Sequence, residues 1–137
     1  MRFRVRKTAH VFERLGLAMA GAACGLFVGA YVGSAFASLT TQGFLLLMML
    51  LGVIGFYLGI DTPQQPFDEA HSHIDAAELL SSAGTLCATL AALSSVAVIV
   101  LRLEPHDALT LLVLVAWIAG VAMQIVAGAK ARMRVQQ

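Results

Sequence analysis

Charge is missing from most of this chain. Only 12% of the 137 residues are Asp, Glu, Lys or Arg, whereas 59% are hydrophobic, which leaves too little polar surface to cover a soluble globule. Three long gaps carry no charge at all: Arg14 to Asp61, Glu78 to Arg102, and Asp107 to Lys130. Such gaps predict segments that lie inside a membrane.

The gaps contain four apolar segments, because the polar turn at 39–42 divides the first gap. The segments are 15–38, 43–60, 79–101 and 108–129, or about 24, 18, 23 and 22 residues. A helix needs roughly 20 residues to cross a hydrocarbon core of about 30 Å. We therefore predict an all-α polytopic membrane protein, an antiparallel bundle of four transmembrane helices forming one domain, 1–137. The expected helices are about 9–38, 42–60, 67–102 and 107–131.

Proline and cysteine are also rare. The three prolines, Pro63, Pro66 and Pro105, lie outside the apolar segments, so none of them interrupts a predicted helix. The two cysteines, Cys24 and Cys87, lie inside apolar segments. Two thiols at membrane depth do not make a disulfide scaffold, and we expect them to act as small apolar fillers.

Groups that carry chemistry are missing from the membrane segments. All four histidines lie outside them, and no ionisable residue lies deep inside, which argues against haem ligation, a proton relay and an ion-coupled carrier. The sequence has no Ser, His and Asp arrangement, no Cys near a suitable His, and no glycine-rich phosphate loop after a strand. We therefore expect no enzymatic activity and no cofactor.

The positions of the cations predict the orientation. Eight of the nine Lys and Arg residues lie near the two termini, and only Arg102 falls on the opposite side of the expected bundle. By the positive-inside rule both termini are cytoplasmic. We expect an integral protein of a bacterial inner (plasma) membrane, surrounded by lipid, with no nucleic-acid partner.

Glycine is abundant, and its spacing in the first segment is regular. Gly21, Gly25, Gly29, Gly33 and Ala37 recur every fourth residue and so form one stripe on a helix. In lipid, small residues let helix backbones approach closely. The stripe predicts a glycine-zipper first helix at the centre of the bundle. It does not say whether its partner belongs to the same chain or to a second copy.

The fourth segment has a similar stripe that contains an amide. Gly120 and Gln124 are four residues apart and lie on one helix face. We predict that both take part in helix packing. An amide at this depth is typical of hydrogen bonds between helices, so Gln124 is expected to bond to the third helix or to its own copy.

Polar residues follow a heptad seam along the third helix and its predicted cytoplasmic stem. The seam consists of Asp68, His71, Asp75, Glu78, Ser82, Thr85 and Thr89, spaced alternately three and four residues apart. One interpretation is a water-filled path entered from an acidic vestibule. The other is that the hydroxyls bond to their own helix or to a neighbouring one.

Three residues of this seam also suggest a metal site. His71, Asp75 and Glu78 share a helix face, and imidazole with carboxylates suits zinc and similar ions. The cluster lacks the spacing of a known site, and a solvated helix stem needs no metal.

Three functional hypotheses follow from these patterns. The first is a small non-enzymatic integral membrane protein, either self-assembling as a homo-oligomer or serving as an accessory subunit of a larger membrane complex through its small-residue stripes. The second is an oligomeric channel or permease with a path lined by Ser82, Thr85 and Thr89. The third is a metal or pH sensor on the cytoplasmic stem.

Overall fold

The protein is a bundle of four long helices. The computed structural model describes residues 2–59, 76–104 and 106–135, and no strand occurs among them. The helices are α1 (Arg2–Ala35), α2 (Gln42–Gly59), α3 (Ala76–Val100) and α4 (Asp107–Val135), with a short 3₁₀ turn at Ala37–Leu39. This confirms the predicted all-α class and the four-helix bundle.

Each helix is long and apolar enough to cross a membrane. The candidate spans are Val11–Ala35, Gln42–Gly59, Ala76–Val100 and Asp107–Met133. Because the helices alternate in direction, both termini lie at one end of the bundle, here called the terminal end. The 3₁₀ turn and the α3–α4 connection lie at the other end, the turn end. The chain is therefore an integral membrane protein.

The helix bounds differ from the prediction at several points. α1 begins at Arg2 instead of near residue 9, and it ends at Ala35 because Phe36 adopts an extended conformation. Ala37 is exposed in the following 3₁₀ turn, so the fifth position of the predicted stripe is not on α1. The predicted cytoplasmic stem, with Asp68, His71 and Asp75, lies outside the described residues.

The helices occupy the four corners of the bundle, so no helix is central. α1 packs most extensively on α2, and α3 on α4, which gives two hairpins. The hairpins then pack side by side, α1 against α3 and α2 against α4. α1 and α4 also touch across the diagonal, so each of them contacts all three other helices, and the first helix is no more central than the fourth.

The glycine stripe of α1 packs against α2 of the same chain. A Cβ atom on Gly21 would overlap the backbone carbonyl of Gly52, and one on Gly25 would overlap the carbonyl of Met48. Contact is looser toward the turn end, where a Cβ on Gly29 would lie 3.2 Å from Leu45 Cδ2 and one on Gly33 would be in ordinary contact. The stripe is thus used within the described chain.

Large side chains divide between the interior and the outer surface of the bundle. The largest fully buried ones include Trp117 of α4 and Tyr31, Val28 and Val32 of α1. The exposed positions are mainly large and apolar, for example Leu86, Leu90 and Leu93 along α3. An outer surface of this kind suits lipid chains, as the candidate spans require.

α3 ends in a Schellman motif with an unusual residue at its key position. The N–H of Leu103 donates to the carbonyl of Val98 at 3.0 Å, and the N–H of Arg102 donates to that of Ile99 at 3.3 Å. Arg102 has a φ of 52°, the left-handed conformation that glycine usually provides at this position. A side chain with a Cβ is strained there.

Gly25 and Gly16 provide a matched test of the close approach. Gly25→Ala should lower the free energy of unfolding by about 1–3 kcal/mol, because the new methyl group forces α1 away from Met48. Gly16 has no atom near its Cβ position, so Gly16→Ala should be neutral or stabilise by about 0.5–1 kcal/mol through helix propensity. Unfolding in detergent micelles, followed by circular dichroism, measures both. Equal effects of the two substitutions would contradict the packing.

The Schellman motif predicts that a substitution to glycine stabilises the protein. Arg102→Gly should raise the free energy of unfolding by about 1 kcal/mol, because glycine adopts a positive φ without the steric cost. Arg102→Ala is the control: it removes the charge but keeps the Cβ atom, and it should bring no gain. The same detergent unfolding assay compares the two. If both variants had a higher free energy of unfolding, the effect would come from the loss of the charge and not from the backbone conformation.

Candidate functional site

Polar side chains are few inside the described bundle, and two of the four buried ones, Gln124 and Ser81, lie at the same site. The buried polar residues are Ser81, Ser95, Thr110 and Gln124. Gln124 is 1% exposed and lies on α4 where it faces both α2 and α3. An amide that is removed from both water and lipid needs partners for its donors and its oxygen. Its surroundings are therefore the candidate site.

A hydrogen-bonded chain links Gln124 to α3. Gln124 Nε2 donates to Thr85 Oγ1 at 2.9 Å, and the Thr85 hydroxyl donates to the carbonyl of Ser81 at 2.9 Å. With the single Thr85 proton assigned to the Ser81 carbonyl, Thr85 accepts from the amide nitrogen of Gln124. The predicted bond from Gln124 to the third helix is present.

The same site reaches the end of α2. Ser81 Oγ donates to the carbonyl of Gly59 at 3.0 Å. Gly59 is the last residue of α2, where carbonyls have no partner within the helix. Hydrogen bonds of Ser81, Thr85 and Gln124 therefore connect α2, α3 and α4 in the half of the bundle nearer the terminal end.

Two buried polar atoms at this site have no hydrogen-bond partner among the residues that the structure describes: Gln124 Oε1 and Trp117 Nε1. A Cβ on Gly55 would lie 2.8 Å from Gln124 Oε1, and a Cβ on Gly52 would lie 3.2 Å from Trp117 Cζ2. Both side chains thus face the glycine surface of α2. The two atoms are a neutral donor and a neutral acceptor.

Small residues position this site by bringing α3 close to α4. A Cβ on Gly120 would lie 2.7 Å from both the carbonyl oxygen of Gly84 and the backbone nitrogen of Ala88. The predicted packing role of Gly120 therefore falls within the chain, between α3 and α4. This close approach places Thr85 within reach of Gln124.

The remaining hydroxyls of the predicted seam bond to their own helix. Ser82 is exposed and donates to the carbonyl of Leu79 at 3.0 Å, and Thr89 donates to that of Thr85 at 2.8 Å. Glu78 is exposed near the start of α3. The hydroxyl protons of Ser82 and Thr89 are thus already used on local carbonyls, which is how such residues are accommodated in transmembrane helices.

The predicted metal cluster is only partly described. His71 and Asp75 lie outside the described residues, and Glu78 is the one member that the structure places. Within the described ranges, no three His, Cys, Asp or Glu side chains come together as a metal site would need. Cys24 and Cys87 are half-buried and free.

A second polar contact, near the turn end, was not predicted. The hydroxyls of Tyr31 and Thr110, both fully buried, hydrogen-bond to each other at 3.1 Å, and Thr110 also bonds to the carbonyl of His106. This contact connects the diagonally opposed helices α1 and α4. The sequence could have predicted a polar contact at Tyr31, because a tyrosine buried in an apolar segment usually needs a hydrogen-bond partner for its hydroxyl.

Comparisons of the chain with protein-family models, curated proteins and solved structures found no match. Its function is therefore inferred from its own residues.

The Gln124 site predicts different effects for two neighbouring threonines. Thr85→Val leaves the buried amide nitrogen without its acceptor and should lower the free energy of unfolding by about 0.6–1.7 kcal/mol. Thr89 bonds only to its own helix, so Thr89→Val should change it by less than about 0.5 kcal/mol.

The pairing itself is tested by a double-mutant cycle. In a Gln124→Leu background, Thr85→Val should cost little, because no amide remains to be satisfied. Detergent unfolding of the four variants gives the coupling energy. Purely additive effects would show that the two side chains do not interact.

Proposed function

We propose that this protein is a small non-enzymatic accessory subunit of a larger membrane complex, built as a bundle that completes its own packing. The observation that carries the proposal is the use of the Gly21 and Gly25 surface by α2 of the same chain. Helices that bury their small residues against one another form a unit that needs no second copy to fold. A bundle that folds on its own can bind to a larger complex as a preformed subunit.

The chemistry of the described spans supports a non-enzymatic role. The site around Gln124 contains an amide, an indole and hydroxyls, all of which are neutral. Charged residues occur only toward the ends of the spans, such as Arg14, Glu78 and Asp107. Nucleophilic, acid–base and metal-assisted catalysis all depend on activated or ionisable groups, which these neutral side chains do not provide.

The terminal end offers the surface through which such a subunit would dock. The α1–α2 register, with Gly21 opposite Gly52 and Gly25 opposite Met48, brings residue 14 level with the end of α2. The position of the Arg14 guanidinium, 5.6 Å from the centre of the Tyr57 ring, agrees with this register. α1 therefore continues for twelve residues beyond α2, about 18 Å at the helical rise.

This extension is longer than the lipid headgroup layer is thick. The headgroup region on each side of a bilayer measures about 5–7 Å. The extension includes Arg2, Arg4, Arg6 and Lys7 and has no acidic residue before Glu13. A basic helix in this position suits the acidic surface of a partner protein. With the termini cytoplasmic in a bacterial inner membrane, as the cations predict, the partner surface would be cytoplasmic.

The oligomeric channel has less support. Its proposed path uses Ser82, Thr85 and Thr89, and all three hydroxyls donate to carbonyls of their own helix. The sensor hypothesis depends on His71 and Asp75, which lie outside the described residues.

The assembly size in native membranes tests the accessory role. We expect the protein to migrate in a complex much larger than 14.5 kDa on native gels of mildly solubilised membranes, and as a single chain once purified. Neutralising Arg2, Arg4, Arg6 and Lys7 to Gln should release it from the complex. Neutralising Lys130 and Arg132 of α4 to Gln, compared with neutralising Arg2 and Arg4 alone, is the control for net charge, because each pair removes two positive charges.

Two results would contradict the accessory role. One is a protein that migrates alone in native membranes at every detergent concentration. The other is a purified homo-oligomer with the same size as the native complex, which would favour self-assembly.

A further inference from the structure

We propose that a single water molecule is bound between α2 and α4, where it bridges Trp117 Nε1 and Gln124 Oε1. The proposal rests on two side chains that are almost completely buried, at 0% and 1% exposure, and that each have one polar atom without a protein partner. One of these atoms is a donor and the other is an acceptor. A water molecule satisfies both, because it accepts from the indole N–H and donates to the amide oxygen.

Both atoms face the same part of α2. Trp117 Cζ2 lies 3.2 Å from the position that a Cβ on Gly52 would take. Cζ2 and Nε1 are both bonded to the ring carbon Cε2, so the N–H lies on the same edge of the indole. Gln124 Oε1 lies 2.8 Å from the Cβ position of Gly55. The edge of the indole that carries the donor therefore contacts α2 at Gly52, and the acceptor contacts it at Gly55.

The two side chains contact α2 at glycines that lie close together. Gly52 and Gly55 are three residues apart, which corresponds to about 4.5 Å along the helix axis. Two hydrogen bonds of about 2.9 Å let one water join atoms up to roughly 5–6 Å apart. On α4 the two side chains are seven residues apart, but they converge on this short stretch of α2.

The orientation of the amide explains why the oxygen needs such a partner. The Thr85 proton is used on the Ser81 carbonyl, so the amide nitrogen faces Thr85 and the oxygen is directed toward α2. Rotating the amide by 180° would require the Thr85 hydroxyl to turn its proton from the Ser81 carbonyl to the amide oxygen, and it would leave the amide nitrogen as an unpaired donor facing α2. In the arrangement found, the amide oxygen is the acceptor that faces the backbone of α2.

Trp117 is the only tryptophan of the chain, so its indole reports directly on the site. In lipid nanodiscs, the wild-type indole N–H should show a cross-peak to water in NMR spectra, and D₂O should increase the Trp117 fluorescence. Gln124→Leu removes the acceptor and should abolish both signals and shift the emission to the blue. Ser95→Ala, which removes a buried hydroxyl bonded only to its own helix, should preserve both.

Gly55→Ala provides a second test that retains both polar side chains. Its methyl group would take the space beside Gln124 Oε1 and should displace the water, with loss of the cross-peak. The proposal is overturned if the wild-type indole shows no cross-peak to water and no D₂O effect. The amide oxygen would then be satisfied by a weak contact with the Cα hydrogens of Gly55, a type of contact that recurs between closely packed helices.

Discussion

The close approach of α1 to α2 is the contact on which the rest of the bundle depends. In a bilayer the hydrophobic effect does not distinguish a helix neighbour from a lipid chain, so helices associate through close packing and hydrogen bonds. Gly21 and Gly25 bring the two backbones together, because a methyl group on either one would overlap a carbonyl of α2. This contact aligns α1 with α2. It also places Gly52 and Gly55 where α4 can pack against bare backbone.

The second hairpin adds hydrogen bonds to this packing. Gly84 and Gly120 bring α3 close to α4, and Gln124 uses the short distance to reach Thr85. Ser81 then connects α3 to the last carbonyl of α2. The Tyr31 and Thr110 hydroxyls join α1 to α4 near the other end. Small residues thus set the distances between helices. The few buried polar groups add hydrogen bonds between particular helices at each end of the bundle.

The sequence predicts the helices of this fold better than their neighbours. The gaps between Arg14, Asp61, Glu78 and Arg102 define spans because charge is costly in lipid, and this rule depends on composition alone. The partner of the glycine stripe could not be predicted, because all four helices carry small residues and a helix face does not identify its neighbour. The sequence predicted that Gln124 forms a hydrogen bond between helices, but it left the third helix and a second copy of the chain as alternative partners. The end of α1 was misplaced because the turn at Phe36 has no proline or glycine to mark it.

The short length of α2 has a consequence for the surrounding bilayer. Its 18 residues measure about 27 Å along the axis, slightly less than a typical hydrocarbon core. A free helix adjusts to such hydrophobic mismatch by changing its tilt. α2 cannot do so alone, because its glycine contacts hold it in register with α1. We therefore expect the lipid beside α2 to adapt by thinning slightly, which suits thin membranes better than thick, sterol-rich ones.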